Sequence, residues 1–420
     1  MIELREFIDD MRATSSSTDK VAIIARSSTF IHKVLEYTYN PFKQYYTTSK
    51  TCKKNSDKCY YDSNDLYPFE LLDSLSDRKF TGHEAITLVN GWVKNNEYGE
   101  LLYRIIDKNL DIRAGDKVIN KAVPNLIPTF SVALAKEYPK VVVLDADIAG
   151  GTGIHHFRDK FPDRFVQCGI AEQNMMAMAG GMAAIGLIPI VTTFAVFMLR
   201  AIEQARLAIA YADMNVKIVA SHPGLDTGPD GASAQCLEDI ACFRSIPNMT
   251  VLSPCDPHEM KQATKAILDY VGPIYMRTGR SDTKRILDKG YKFEIGKGKI
   301  IFPGNDLTIV ACGVEVSRAI EAAEILRTDG ISARVVNMST IKPIDKQLLE
   351  KCSFETGAFV TAEDHNIMGG LGGAVAEALA NSKPSPIEFI GTQDIFGESG
   401  EPDELAKKYG QTAEFIVDAA

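Results

Sequence analysis

From Val141 onward the chain repeats one pattern: a short apolar run, a turn, then a longer stretch with apolar side chains at helical spacing. Val141-Val142-Val143-Leu144 is such a run. Ile188-Pro189-Ile190-Val191, Val216-Lys217-Ile218-Val219, Met249-Thr250-Val251-Leu252 and Ile274-Tyr275-Met276 follow it. Runs without sustained alternation mean strands covered on both faces, the condition of a parallel sheet between helices. The spacing predicts helices over about 172–185, 199–212 and 257–270. A turn-rich crossing, Asp282 to Gly304, leads to a second α/β unit. Its strands are expected at Leu307-Thr308-Ile309-Val310-Ala311, Ala333-Arg334-Val335-Val336, Ala358-Phe359-Val360-Thr361 and Ile387-Glu388-Phe389-Ile390. Gly369-Gly370-Leu371-Gly372-Gly373 precedes a helix. Such a turn could cradle a phosphate, but packing at a helix start is the stronger reading of a lone Gly-rich turn.

The first 128 residues carry no strong strand pattern. Helical spacing recurs at 2–13, 18–26, 29–39, 68–76, 82–94 and 97–109, with Ser28 and Thr81 as N-caps. The polar stretch Thr47 to Asp65 reads as an exposed loop. The expected fold class is therefore multidomain: an all-α N-terminal domain, then two α/β domains with mainly parallel sheets. A formal charge of −9 argues against a nucleic-acid coat, and residues 1–128 hold equal numbers of acidic and basic side chains, so the surplus acid lies in the rest. The eight cysteines form no C-x-x-C pair and read as reduced core thiols. Cys52 and Cys59, without a nearby His, do not make a zinc site. The charged N-terminus does not read as a signal peptide. No apolar run reaches about 18 residues, so a cytoplasmic chain is expected.

Gly169-Ile170-Ala171-Glu172-Gln173-Asn174 follows the short strand Arg164-Phe165-Val166-Gln167-Cys168 and opens the long small-residue helix. A carboxylate there lies near the positive end of the helix dipole, at the rim of a sheet. Alone it reads as a helix-start residue. Its company changes that: Thr193-Phe194 and Phe197 end the next strand, Arg200 follows, and Gly228-Pro229-Asp230-Gly231 closes a later loop. With Leu144-Asp145-Ala146-Asp147, Arg244-Ser245-Ile246-Pro247-Asn248-Met249, Ala362-Glu363-Asp364-His365-Asn366 and Phe396-Gly397-Glu398-Ser399-Gly400, these motifs stand in an order and spacing that resemble the transketolases, from about Thr129 to the C-terminus.

The resemblance implies a thiamine diphosphate pyrimidine-binding domain over 129–285 and a transketolase C-terminal domain over 286–420. It implies transfer of a two-carbon ketol unit between sugar phosphates, with Glu172 and His222 as catalytic residues. Glu172 would share a proton with the far nitrogen of the cofactor's pyrimidine from a buried position. Phe197 would stack on that ring, Phe194 would line the same pocket, and Asp147 and Arg200 would lie on the cofactor side. His222, Asp230, Arg277 and Arg280 match positions that contact the sugar or its phosphate. One departure stands out. The family's G-x-D-G-x-x-H-Q reads here Gly228-Pro229-Asp230-Gly231-Ala232-Ser233-Ala234-Gln235, so Ala234 replaces a hydrogen-bonding histidine and donor choice or activity is expected to differ. No Gly-Asp-Gly occurs, so no metal site is expected on this chain. The Mg2+ or Ca2+ that holds the diphosphate would belong to a transketolase N-terminal partner subunit, in a dimer of heterodimers. A deoxyxylulose-phosphate synthase-like subunit, a 2-oxoacid dehydrogenase β-subunit-like role and a non-catalytic scaffold are the alternatives.

Residues 1–128 carry a second resemblance. Tyr37-Thr38-Tyr39-Asn40 with Gln44-Tyr45-Tyr46, Asp77-Arg78-Lys79-Phe80-Thr81-Gly82, and Asn120-Lys121-Ala122-Val123-Pro124-Asn125-Leu126-Ile127-Pro128 are similar to the N-terminal DNA-binding domain of tailed-phage ATP-dependent DNA ligases. Ligase chemistry itself is excluded, because no K-x-D-G occurs. The resemblance implies contacts to duplex DNA from Lys43, Arg78, Lys79, Lys117 and Lys121; a solvated helical surface is the alternative. The two parts meet near Pro128-Thr129-Phe130 with no linker, as a fusion.

Overall fold

A computed structural model describes residues 1–420 apart from 41, 42, 44, 58–66, 78, 125, 128–132, 282, 284 and 289, and apart from the side chains of 116, 117, 133 and 134. The chain divides into two compact units, Met1–Ser131 and Val132–Ala420. The proposed join at Pro128-Thr129-Phe130 lies outside the described residues.

The first unit is helical. Its helices are Ile2–Ala13, Ser17–Arg26, Thr29–Tyr39, Ser49–Lys54, Pro68–Ser76, Gly82–Asn95, Leu101–Ile106 and Asp116–Ala122. They form because their apolar residues fall on one face: Leu4, Ile8 and Met11, Ile31 and Leu35, Leu71, Leu72 and Leu75, and Val89 and Trp92 meet in one core. Ser28 caps its helix by accepting the Ile31 N–H at 3.3 Å. Thr81 stands at its helix's N-cap position, as expected, although its hydroxyl accepts no N–H there. One expectation is corrected. The stretch expected as a loop contains the helix Ser49–Lys54, capped by Thr48. That helix forms because Cys52 is fully buried beneath it, and because the buried Asn90 side chain donates to Cys52 O at 3.0 Å and Asn55 O at 2.8 Å. Polar composition concealed this single apolar anchor.

The second unit holds two sheets. Strands β1 (Val141–Asp145), β2 (Phe165–Gln167), β3 (Ile188–Phe194), β4 (Lys217–Ser221), β5 (Thr250–Leu252) and β6 (Ile274–Thr278) pair in parallel. β7 (Lys299–Phe302), β8 (Leu307–Ala311), β9 (Ala333–Asn337), β11 (Phe359–Asn366) and β12 (Ile387–Thr392) form the second sheet, in the order β12-β11-β8-β9-β7. β10 (Thr340–Lys342) leaves the second half of the sequence and pairs antiparallel with β5, so the first sheet runs β10-β5-β6-β4-β3-β1-β2. The edge strand β7 is also antiparallel to its neighbour. β7 and β10 escape the sequence pattern because they are short edge strands: β10 (Thr340-Ile341-Lys342) has one apolar residue, and β7 (Lys299-Ile300-Ile301-Phe302) is a four-residue run inside the Gly- and Lys-rich crossing. Helices cover both faces, as the unbroken apolar strands require. One expected helix, 199–212, is instead Ala195–Leu199, Ile202–Gln204 and a π-helical stretch over Ala205–Tyr211. The helices Glu172–Ala184 and Pro257–Asp269 lie where the spacing predicts.

Candidate functional site

The site is assembled at the carboxyl ends of the parallel strands, where ligands bind in open α/β sheets. β1 ends at Asp145, β3 at Phe194, β4 at Ser221 and β6 at Thr278. The residues just beyond them are Asp147, the helix carrying Phe197, His222 and Arg280. β2 leads through Gly169 (φ +69°) to Glu172, the first residue of its helix. A turn of this kind needs a left-handed backbone, which glycine adopts without strain.

Glu172 is 4% exposed, and among the described residues its Oε2 has no hydrogen-bond partner. The closest opposite charge is Arg200 Nη1 at 3.7 Å, on a side chain that is itself 65% exposed. The hydroxyl of buried Thr193 is likewise without a partner. Buried polar atoms left in this way are costly and mark places built for a ligand or for strain. Phe194 and Phe197 lie parallel, with centroids 5.7 Å apart and planes 6° apart. Phe194 also stacks on His222, with centroids 3.7 Å apart. Gly151 gives Phe194 room, since a Cβ there would stand 3.1 Å from the ring.

His222 is buried at a left-handed backbone position, φ +56°, with Nδ1 3.1 Å from Ser221 Oγ. Burial pushes its imidazole down to about 4. Arg280 adds to that push, and Asp230 and Asp226 oppose it. The ring is therefore neutral at pH 7, with one nitrogen free to accept. Its sensitivity to Asp230 and Arg280, both exposed, places all three in one neighbourhood. Asp147 is exposed at φ +64°, its N–H donating to Gln167 Oε1 at 3.0 Å. Gln167 was not among the sequence candidates. It ties the turn after β1 to the Glu172 turn: Oε1 also accepts from Gly169 N, and Nε2 donates to Asp145.

The structure sets Arg277 apart from the other candidates. Its guanidinium forks onto Asp239, with Nε 2.8 Å from Oδ2, and Nη1 donates to Asp364 O at 3.0 Å. Both partners are buried, and Tyr275 adds a 2.5 Å bond to the same carboxylate. The fork that would meet a substrate phosphate is engaged by a fully buried acid that needs a counter-charge. The Gly369–Gly373 turn is filled in a similar way: Glu363 accepts from Leu371 N at 2.6 Å and Gly372 N at 2.8 Å, so the chain's own carboxylate occupies the helix start. A cavity of about 220 Å³ opens between β5, β6 and β8, lined by Asp226, Ser253, Thr278, Ser281, Gly313 and Asp364 among others. Glu172, Phe194, Phe197 and His222 do not line it.

Among the proposed DNA contacts, Lys43 is held by Asp73 at 2.6 Å, above the Tyr37 ring. Lys79 is exposed, 4.0 Å from Asp77, and Lys121 is exposed. Arg78 and the Lys117 side chain lie outside the described residues. Among the described residues no group of three or more His, Cys, Asp or Glu could hold a metal. None of their helices is long and apolar enough to cross a membrane.

Fold and site together define a two-sheet α/β unit with an aromatic and carboxylate cluster at the strand ends. Residues 124–285 match the transketolase pyrimidine-binding domain, and residues 296–416 match the transketolase C-terminal domain. The 6-deoxy-6-sulfo-D-fructose transketolase subunit of Clostridium sp. (strain MSTE9) is 40% identical over 287 residues, which span 68% of this chain and 89% of that subunit. A solved split gene transketolase, described as an inactive beta4 tetramer, superposes with a TM-score of 0.63 at 44% identity, covering 68% of this chain and 92% of its own. The transketolase of Rattus norvegicus is 34% identical over 314 residues, 73% of this chain but 49% of that enzyme. The chain belongs to the transketolase family and is a transketolase-like transferase subunit. The family uses thiamine diphosphate with a divalent metal. Residues 1–123 lie outside both domain matches.

Proposed function

We propose that this chain is the C-terminal subunit of a split transketolase, moving a two-carbon ketol unit between sugar phosphates once a second subunit supplies the diphosphate and metal half of the site. The observation that carries this reading is the buried Glu172, whose Oε2 makes no hydrogen bond among the described residues and meets Arg200 at 3.7 Å, together with the parallel Phe194–Phe197 pair. Such a carboxyl suits a ring nitrogen that donates or shares a proton, and two parallel phenyl faces suit an aminopyrimidine. When bound, thiamine diphosphate supplies the carbanion chemistry. Glu172 would hold the proton at the pyrimidine nitrogen, Phe197 and Phe194 would fix the ring, and Arg200 and Asp147 would close its edge. Neutral His222, Asp230 and Arg280 form the donor side, with Arg280 the free guanidinium for a phosphate. Arg277 is left out of that set. Ala234, without a hydrogen-bonding group, shifts which donor hydroxyls are read.

The chain spans about half the length of a single-chain transketolase, and its solved split relative is described as an inactive beta4 tetramer. A partner and a dimer of heterodimers follow from that reading, with Mg2+ or Ca2+ on the partner. Reduced thiols suit a cytoplasmic setting; Cys52, Cys168, Cys236, Cys242, Cys255, Cys312 and Cys352 are all free. The test is titration calorimetry of thiamine diphosphate with Mg2+, with and without a separately expressed transketolase N-terminal subunit. Binding that needs the partner, followed by turnover of a ketose phosphate, is expected. A folded pair that neither binds nor turns over would overturn the proposal.

A further inference from the structure

The turn that follows His222 is held from the other sheet. Asp364, near the end of β11, places Oδ1 2.8 Å from Leu225 N and Oδ2 3.1 Å from Asp226 N. Leu225 is 1% and Asp226 8% exposed, so water does not replace those bonds. Gly224, at φ +69°, admits the carboxyl: a Cβ there would occupy the same space. Asp226 then passes the constraint on. Its Oδ2 accepts from Arg280 N at 2.8 Å and from Ser281 N at 3.0 Å. The same loop is closed by Gly224 N to Cys236 O at 2.7 Å and by Thr227 Oγ1 to His222 O at 2.8 Å.

This arrangement is costly. Burial pushes Asp364 up, and Asp226 adds to that push, while Arg277 and the N–H groups of Leu225 and Asp226 oppose it. Glu315 faces the same acids from its helix, with Arg318 beside it. Two buried carboxylates, each meeting paired backbone N–H groups, are retained where an apolar contact would pack at lower cost. What they fix in common is the backbone on either side of the donor pocket.

We propose that Asp364 is a positioning residue for the donor side of the site: from the second sheet it sets the turn at 224–226, and through Asp226 it sets the backbone that carries Arg280. His222 and Asp230 lie on one arm of this relay and Arg280 on the other, so one carboxylate from the C-terminal sheet governs the spacing between them. The inference rests on the reading that His222, Asp230 and Arg280 face the donor.

Hydrogen exchange on the full-length chain tests it, read by mass spectrometry on peptides covering 222–231 and 277–281. Asp364→Asn is expected to speed exchange in both by about tenfold or more, the effect of losing a charge-assisted bond. Asp226→Asn is expected to speed the second peptide alone. Gly224→Ala pushes a methyl into the carboxyl's place without altering charge, and is expected to repeat the Asp364→Asn pattern if that variant does not fold. Strand β8 is expected to exchange at the wild-type rate throughout. An unchanged 277–281 peptide in Asp364→Asn and Gly224→Ala, or an equal rise in β8, would overturn the relay. In the assembled enzyme, Asp364→Asn is expected to raise the donor KM about tenfold with kcat within about twofold; an unchanged KM would overturn the positioning role. An assembly without turnover counts against the functional reading alone, and the exchange pattern still decides the relay.

Discussion

Glu172 and Arg277 are both buried charged residues near strand ends, yet one stands without a hydrogen bond at Oε2 and the other donates from all three of its nitrogens to buried acceptors. In the function proposed above, that difference leaves Glu172 for the cofactor and gives Arg277 to the fold. Glu172→Gln is expected to lower partner-complemented turnover by about 100-fold or more, the range of a lost proton-transfer group. The same variant is expected to change the stability of the isolated chain by less than about 1 kcal/mol, because the ion pair it removes is with Arg200, whose side chain is 65% exposed. Urea unfolding beside activity checks both, and a strongly destabilised or still active variant would contradict them. Arg277→Met leaves Asp239 buried without its counter-charge and is expected to cost about 3–5 kcal/mol. A fall in urea midpoint with an unchanged m-value would show it. Motif spacing singled out both residues, but spacing says nothing about which of two arginines is already bonded. Arg277 and Arg280 differ by three positions, and only the buried Asp239 decides between them.

At the scale of elements, the helix Glu315–Thr328 begins with a fully buried carboxyl that pairs with Arg318 and leaves Oε2 unpartnered. Burial pushes Glu315 up to about 7; Arg318 pulls it down, and Asp364 and Asp226 push it up. Its folded value lies above its unfolded one, so between about pH 4.5 and 7 the native state holds a proton the unfolded chain has lost. Stability therefore falls as pH rises through that window, by on the order of 3 kcal/mol for this group. Glu315→Gln is expected to flatten that part of the profile in urea titrations at stepped pH. The opposite case stands at the start of β4. Lys217 Nζ donates to Tyr270 O and Gly272 O, both at 2.8 Å, and burial pushes it down to about 7. Between about pH 7 and 10.5 the unfolded chain holds the extra proton, so stability rises with pH there. Lys217→Met is expected to remove that rise. Helices and central strands were legible from periodicity, whereas Lys217 in an apolar run gave no hint that two carbonyls receive it.

For the whole molecule, residues 132–420 form one unit in which two sheets share structure. β10 crosses from the second half of the sequence to the edge of the first sheet, and Asp364 reaches the donor turn. A truncation after residue 285 would leave β5 without its outer neighbour β10 and the turn at 224–226 without its acceptor. Such a fragment is expected to unfold with a lower midpoint than the 132–420 unit, monitored by circular dichroism in urea.

The sequence by itself determined the class of the fold, because unbroken apolar runs require two covered faces, and it set the candidates Glu172 and His222 just past strand ends on one edge of the sheet. The partner proposed above starts from the Gly-Asp-Gly that the sequence does not carry. Tertiary structure alone decided which charges are free. Hydrogen-bond satisfaction depends on partners far apart in the chain, such as Asp239 with Arg277 and Asp364 with Leu225, and a buried charge takes its character from those partners rather than from its neighbours in sequence.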